Sequence, residues 1–370
     1  MTEERKIGVR LALLLGALAL AAVLIVGGVA ALAAAWVPLH ASHTPAAGAT
    51  PRPVGTLPAT QGASAAATPA AAEQIAIREW PVSATEVMGP GRFEYNDLLG
   101  DEVLARIQAL RDRSAARSLA EANAALAPFG YRLESRFDDQ WQKILYDVCR
   151  EGEGEPLLAG LASIWRVSVN ASGTEFVLAA ENDPGERPMY VLVRNGEVEP
   201  WEPGESGLLA PAYVGDALAQ ITTTGFPTIT YQVELGAQGG PGSTQVVYTG
   251  TAASAGAYMP LRSFTTWDEH WVLEVDDHLI MDGEDIGQAL GYDAAFGFAR
   301  IGAQPFYFFE QDGLVRISYG DQVLPNAYEM VFHNQCCEAS IHNVEAGPDA
   351  VWFHALRDGT WYFVEASLEE

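Results

Sequence analysis

Lysine is nearly missing from this 370-residue sequence, occurring only as Lys6 and Lys143. That scarcity limits amine nucleophiles and Schiff-base chemistry. Cysteine is limited to Cys149, Cys336 and Cys337, too few for the disulfide framework of small secreted domains, so packing must hold the core. Positive charge is sparse throughout: 21 Lys and Arg face 48 Asp and Glu, a net charge of −27. Residues 1–36 hold Arg5, Lys6 and Arg10 against Glu3 and Glu4, so the rest of the chain carries −28. Such a surface repels phosphate backbones and anionic headgroups, which argues against a nucleic-acid partner. Basic peptides and cations stay compatible with it, as does a solubilising face.

Catalytic signatures are also wanting. Gly204-Glu-Ser206-Gly-Leu lacks the last glycine of a nucleophile elbow and sits in a Pro/Gly-rich stretch. The glycine-rich run 236–242 contains Pro241 and is followed by no lysine, so it does not read as a phosphate cradle.

What the chain does contain is apolar residues, 49% of the total, enough for one or two domains. Leu11 to Trp36 carries no charge. As a helix these residues would span about 39 Å, more than the ~30 Å hydrocarbon core. Arg5, Lys6 and Arg10 precede the run and Arg52 is the next positive charge, which places the N-terminus in the cytoplasm. The alternative is a cleaved signal peptide, with Ala31-Leu-Ala-Ala-Ala35 offering small-residue sites, although signal cores are normally about 7–15 residues. The expected localisation is the cell membrane, single-pass, with everything after Trp36 extracytoplasmic. Residues 38–74 are almost wholly Ala, Pro, Thr, Gly and Ser, a composition that reads as an unfolded stalk.

From Asp97 to Ala127, Val103, Ile107, Leu110, Leu119, Ala122 and Leu126 recur at helical spacing. Pro128 and Gly130 end the pattern, and Ser114 to Arg117 offers a break into two helices. This face suits packing on the next domain, or a partner.

From Tyr131 the period changes to that of strands. Phe306-Tyr-Phe-Phe-Glu-Gln-Asp312-Gly313-Leu-Val-Arg-Ile-Ser-Tyr319 is the clearest case, aromatic and β-branched runs either side of Asp-Gly. Comparable segments begin at Leu145, Tyr190, Tyr231, Trp271, Phe306 and Val351, at intervals of 45, 41, 40, 35 and 45 residues. A strand repeat of this period predicts a β-propeller with one blade per repeat. Residues 131–370 accommodate six blades, with Tyr131 to Phe137 as the strand that closes the ring on the last blade. A β-sandwich or two small β domains is the rival architecture.

One segment carries a family resemblance. Val167-Ser-Val-Asn170-Ala-Ser-Gly173-Thr-Glu-Phe176-Val-Leu resembles the Ser-Pro-Asp-Gly strand–turn–strand of TolB-like propeller repeats, and Tyr190-Val-Leu-Val-Arg-Asn-Gly196 resembles that family's outer hairpin. The resemblance implies the architecture of about two-thirds of the chain and no active site, since such blades serve as protein-binding scaffolds and as caps on peptidases.

The densest group of metal-capable side chains is His333, Cys336, Cys337 and His342. Imidazole and thiolate suit zinc or copper, but structural zinc sites space their cysteines by two to four residues, and these are adjacent. A vicinal disulfide would force Cα atoms ~3.8 Å apart into a window of ~4.4–6.8 Å. Pairing of Cys149 with either, or plain buried thiols, are the other possibilities. Asp276, Asp277, Asp282, Glu284 and Asp285 cluster near a glycine turn without the spacing of a calcium loop.

The sequence therefore predicts a mainly β, six-bladed propeller-like domain after an amphipathic helix and a transmembrane helix. The expected segments are a cytoplasmic tail (1–10), transmembrane helix (11–36), disordered linker (37–75), helical preface (76–130) and propeller-like domain (131–370). The expected function is a membrane-anchored binding or scaffold module with a protein or peptide partner outside the membrane. No catalytic residue or cofactor is expected, with the four-residue metal group as the alternative. An extracytoplasmic hydrolase or metal-dependent enzyme, with its site at the propeller channel, is the rival function.

Overall fold

Apolar runs broken by Asn-Gly or Asp-Gly form antiparallel hairpins in the computed structural model, which describes residues 74–82, 100–139, 142–182, 189–201, 209–236, 244–253, 260–320, 322–334 and 342–369. Asn195, Asp312 and Asp358 take positive φ of 50–56° and the glycines after them 69–90°, the left-handed geometry that lets a two-residue loop match the strand twist. The apolar segment 11–36, most of the linker, Cys336 and Cys337 lie outside the described residues. Within them, no helix is long and apolar enough to cross a membrane.

The described chain is mainly β, in five antiparallel sheets. A first strand β1 (Ile75–Val82) and a helix α1 (Gly100–Leu126) precede them. Sheet one holds β2 (Tyr131–Asp138), β3 (Lys143–Arg150), β4 (Leu158–Val169), β5 (Phe176–Asn182), β6 (Met189–Arg194) and β7 (Glu197–Trp201). Sheet two holds β8 (Ala212–Val214), β9 (Ala217–Thr224), β10 (Thr228–Gly236) and β11 (Thr244–Ala253). Sheet three is β12 (Leu261–Trp267), β13 (His270–Val275), β14 (His278–Met281) and β15 (Glu284–Asp285), followed by the short helix α2 (Ile286–Leu290). Sheet four is β16 (Ala294–Ile301), β17 (Gln304–Gln311), β18 (Leu314–Tyr319) and β19 (Gln322–Tyr328). Sheet five contains β20 (Met330–Val331), β21 (Glu345–Ala346), β22 (Ala350–Arg357) and β23 (Thr360–Leu368), with β1 on its outer edge.

All six repeat segments contribute a strand to these sheets, but they give five sheets and not six. The first two share sheet one because β4 serves both. Its start pairs with β3 (Val148 opposite Leu158, Tyr146 opposite Leu161), and the rest pairs with β5 from Leu161 to Val169. Register shifts after Leu161 and Ile164 bend the strand between its two partners. The repeat spacing cannot report this, because a bulge changes the course of a strand without changing the distance between hairpins.

Closure also differs from expectation. Tyr131–Asp138 pairs with β3 at the edge of sheet one. The strand that joins early to late chain is β1, whose Ile75 faces Leu368 and Val82 faces Trp361. The region expected to be a helical preface thus begins with a strand. Glu79 secures the strand from its own side chain, accepting hydrogen bonds from Arg357 (2.5 and 2.8 Å), Tyr328 (2.8 Å) and Asn326 (3.1 Å). Burial raises the affinity of Glu79 for a proton, but these donors outweigh it and hold the carboxyl below its ordinary range.

Six apolar clusters connect the elements in a cycle. Val177, Ala179 and Leu192 of sheet one meet Ala210 and Tyr213 beside sheet two. Tyr231 and Val233 meet Phe264, Trp271 and Leu273 of sheet three, and Val272 and Leu279 meet Ala295, Tyr307 and Phe309 of sheet four. Phe306 and Phe308 meet Phe353 and Val364 of sheet five. Trp352, Trp361 and Phe363 of sheet five then meet Val103, Ile107 and Leu110 of α1. Lastly, Leu126, with Leu119 and Ala122, meets Leu133, Val148 and Phe176 of sheet one. The sheets follow one another as propeller blades do, and α1, continuous through Ser114–Arg117, stands between the last sheet and the first. Alternation along Phe306–Phe309 sends even positions to one neighbour and odd positions to the other, so this aromatic run is blade packing. Two facing sheets, as a sandwich requires, are not what forms.

Candidate functional site: the cleft between α1 and the inner strand β4

Strands β4, β8, β12 and β16 are the inner strands of sheets one to four, and each lies against the next. Each of β4, β12 and β16 carries a register shift, and such bulges re-aim side chains. The shift in β12 falls at Arg262, between Leu261 and Ser263. One in β4 falls at Trp165, immediately before Arg166. Trp165, Arg166, Arg262 and Phe264 line an open cavity of about 380 Å³.

Arg166 is half-buried and has no carboxylate partner among the described residues. Its guanidinium donates to the carbonyl oxygens of Phe264 and, at 3.5 Å, Ala210, and lies 5.9 Å from the Phe264 ring centre. Desolvation lowers its pKa to about 10, so it remains a cation at neutral pH. Burying a charge with only carbonyl dipoles around it is costly. Arg262 supplies a second guanidinium at the same cavity, and its field acts on Asp276, whose carboxyl burial pushes up.

A second cleft of about 640 Å³ opens on the other side of Trp165 and Arg166, between β4 and α1. On the helix its wall is formed largely by Ala115, Ser118, Ala122 and Ala125, which share one face and are too short to fill the space. On the strand it is residues 162–167. From Ser163 onward β4 pairs, among the described residues, with β5 alone, so its other edge carries no strand in register.

The His333 and Glu274 cluster is held by internal partners. Both nitrogens of His333 face oxygens, Nδ1 the Val331 carbonyl at 2.9 Å and Nε2 the Asp277 carboxylate at 3.0 Å, so both donate and neither lone pair is left for a base. The ring stacks on Phe296 with centroids 3.6 Å apart. Burial opposes the charge on His333, but the Asp277 bond, the Val331 carbonyl and the fields of Asp277 and Glu274 outweigh it and raise the pKa. Glu274 is buried across from Ser263, whose hydroxyl donates to it at 3.2 Å, and accepts the Gly297 N–H at 3.0 Å. Desolvation raises its pKa despite these donors.

Of the four residues singled out as a metal group, His333 and His342 are described, and they make separate contacts. His333 is held by Asp277, whereas His342 packs against His354 with ring centroids 4.9 Å apart and against Phe332. Cys336 and Cys337 lie outside the described residues, and among the described residues no three of His, Cys, Asp and Glu converge as metal ligands do. Cys149 is a buried free thiol. The acidic cluster divides among separate tasks: Asp282 holds His270 (2.6 Å) and the Trp271 N–H (2.9 Å), and Asp285 caps α2 and holds His278. The turn at 170–173 is closed by Asn170, whose side-chain oxygen accepts the N–H groups of Thr174 and Glu175 at 2.8 and 2.9 Å.

No signal in the sequence separates Arg166 from other arginines, because its surroundings are assembled from positions 44 and 98 residues away. The alanine face of α1 was visible only as part of an amphipathic helix.

No family model matches the chain and no curated protein matches it. Among solved structures, the β-propeller domain of the Trilobed protease from Pyrococcus furiosus is similar at 10% identity and TM-score 0.35, over 65% of this chain and 78% of that one. Pyrococcus horikoshii acylaminoacyl peptidase is similar at 10% identity and TM-score 0.33, over 65% of this chain and 45% of its own. A prolyl endopeptidase is similar at 10% identity and TM-score 0.27, over 73% and 56% respectively. The chain thus spans about half the length of these two peptidases.

Proposed function

We propose that this chain is a membrane-anchored, extracytoplasmic binding or scaffold protein, holding a ligand at the cleft between α1 and β4 without transforming it. The observation that carries this reading is Arg166, a desolvated cation with no carboxylate partner among the described residues, which lines two open cavities. Ligands bind in concave, mostly apolar sites with a few placed polar groups, and this cleft has that character. Against a hydrolytic role, the His333–Asp277 pair has no free nitrogen with which to activate a nucleophile. The anchor is supported by the uncharged run 11–36 and the basic residues before it.

The reading is tested in intact membranes by placing a photo-crosslinking amino acid at Ser118, on the wall of the cleft. A discrete adduct that disappears when Ala122→Trp fills the cleft is expected. Labelling of water alone, or an adduct indifferent to Ala122→Trp, would overturn it.

A further inference from the structure

We infer that the occupant of this cleft is an extended apolar peptide whose C-terminal carboxylate pairs with Arg166. The inference rests on the binding reading above and names the chemistry of its ligand. Three features of the site bear on it independently.

Charge comes first. A desolvated guanidinium that donates only to carbonyl oxygens and has no carboxylate partner among the described residues matches an anion arriving with the ligand. A carboxylate is the anion it engages through two parallel N–H···O bonds. Arg262 lines the adjoining cavity and adds positive potential at the same end. In a chain of net charge −27, this local reversal of sign favours an anionic group here over the surrounding surface.

Backbone pairing comes second. Among the described residues, 163–167 of β4 pair with β5 alone, which leaves their other edge without a strand, and the same residues line the cleft. An extended peptide added along that edge gains main-chain hydrogen bonds, as in β-strand addition, while alternate side chains point to opposite walls. A fatty acid or other carboxylate without amide groups cannot use this edge.

The third feature is the wall. Ala115, Ala122 and Ala125 leave an apolar trough beside Leu119 and Ile164, so the side chains facing α1 should be apolar. Ser118 and Glu121 at the same wall supply polar partners for backbone amides.

The test uses the full chain in detergent and a pool of fluorescent hexapeptides with apolar random positions, as free carboxylates and as C-terminal amides. The free-carboxylate pool is expected to be retained at least about tenfold better, the scale of one charge-assisted pair. Arg166→Met should abolish the preference, Arg166→Lys should restore part of it, and Ala115→Trp, at an exposed position on the same wall, should block both pools while leaving the unfolding midpoint in place. Octanoate should compete weakly, because it lacks the amides. Equal retention of acids and amides would overturn the carboxylate inference and leave the binding reading standing. Retention of neither pool would overturn the inference, and a missing Ser118 adduct as well would overturn the binding reading. Competition by octanoate as strong as by the peptides would overturn the peptide assignment.

Discussion

Arg106 on α1 grips Glu365 on β23 through two hydrogen bonds, Nε to Oε2 at 2.6 Å and Nη2 to Oε1 at 2.7 Å, across 259 residues of chain. The Glu365 side chain is fully buried, and Arg78 (3.6 Å) and Arg113 (3.9 Å) complete its surroundings. Arg113 and Arg117 also hold Asp349 at 3.3 and 2.5 Å, and Arg111 holds Glu345. The helix that stands between the last and first sheets is therefore fastened by ion pairs as well as by Ile107 and Leu110.

Removing one member of such a pair leaves a buried charge without compensation. Arg106→Ala is expected to destabilise the folded domain by about 3 kcal/mol, at the low end for a broken buried pair because two other arginines stay near Glu365. Replacing both, Arg106→Met with Glu365→Met, should cost less than the single change. Denaturant midpoints of the two variants check this, and a double variant worse than the single would refute it.

His354 is buried against His342 and the Phe363 ring. Desolvation, with a smaller contribution from His342, lowers its pKa to about 3. The unfolded chain, with a histidine near 6.5, binds more protons than the folded one between those values. Stability is expected to fall as the pH drops below the unfolded pKa, by about 1.4 kcal/mol per unit for this group. His354→Leu should flatten the acid limb of a thermal-melt profile, and an unchanged slope would count against the assignment.

His333 and Asp277 shift in opposite directions. The histidine pKa is raised, so its contribution is complete below about 6.5 and is lost as pH rises through the folded value. The Asp277 pKa is lowered, chiefly by the His333 bond, so its contribution is present above about 3.9 and is lost as pH falls through the folded value. The pair is expected to stabilise most between the two. His333→Gln should remove the loss of stability expected of the unaltered chain as pH rises above the ordinary histidine range, measured by urea denaturation at each pH.

Much of the local structure could be read directly. The Asp312-Gly313 turn sets Gln311 opposite Leu314, and the helical spacing of Val103, Ile107 and Leu110 marks the face that is buried. The five-sheet count was not legible, since bulges in β4 let one strand serve two hairpins. Nor was β1, eight residues with a proline and a polar pair whose partner lies nearly three hundred residues on. The candidate cleft was invisible for the same reason: Arg166, Phe264 and the alanines of α1 are distant in the chain and ordinary in type.

By itself the sequence marked the Asn-Gly and Asp-Gly hairpins and the apolar face of the helix, because turn chemistry and apolar period act over a few residues. It also determined that Phe306–Phe309 must be buried on both faces. Tertiary structure alone decided that α1 occupies a place between two sheets, which strand joins early to late chain, and where, among the described residues, a cation is left without a counter-charge. Those outcomes depend on which apolar faces meet and on which carboxylates reach which arginines, relations set by packing in space and carried by no local pattern.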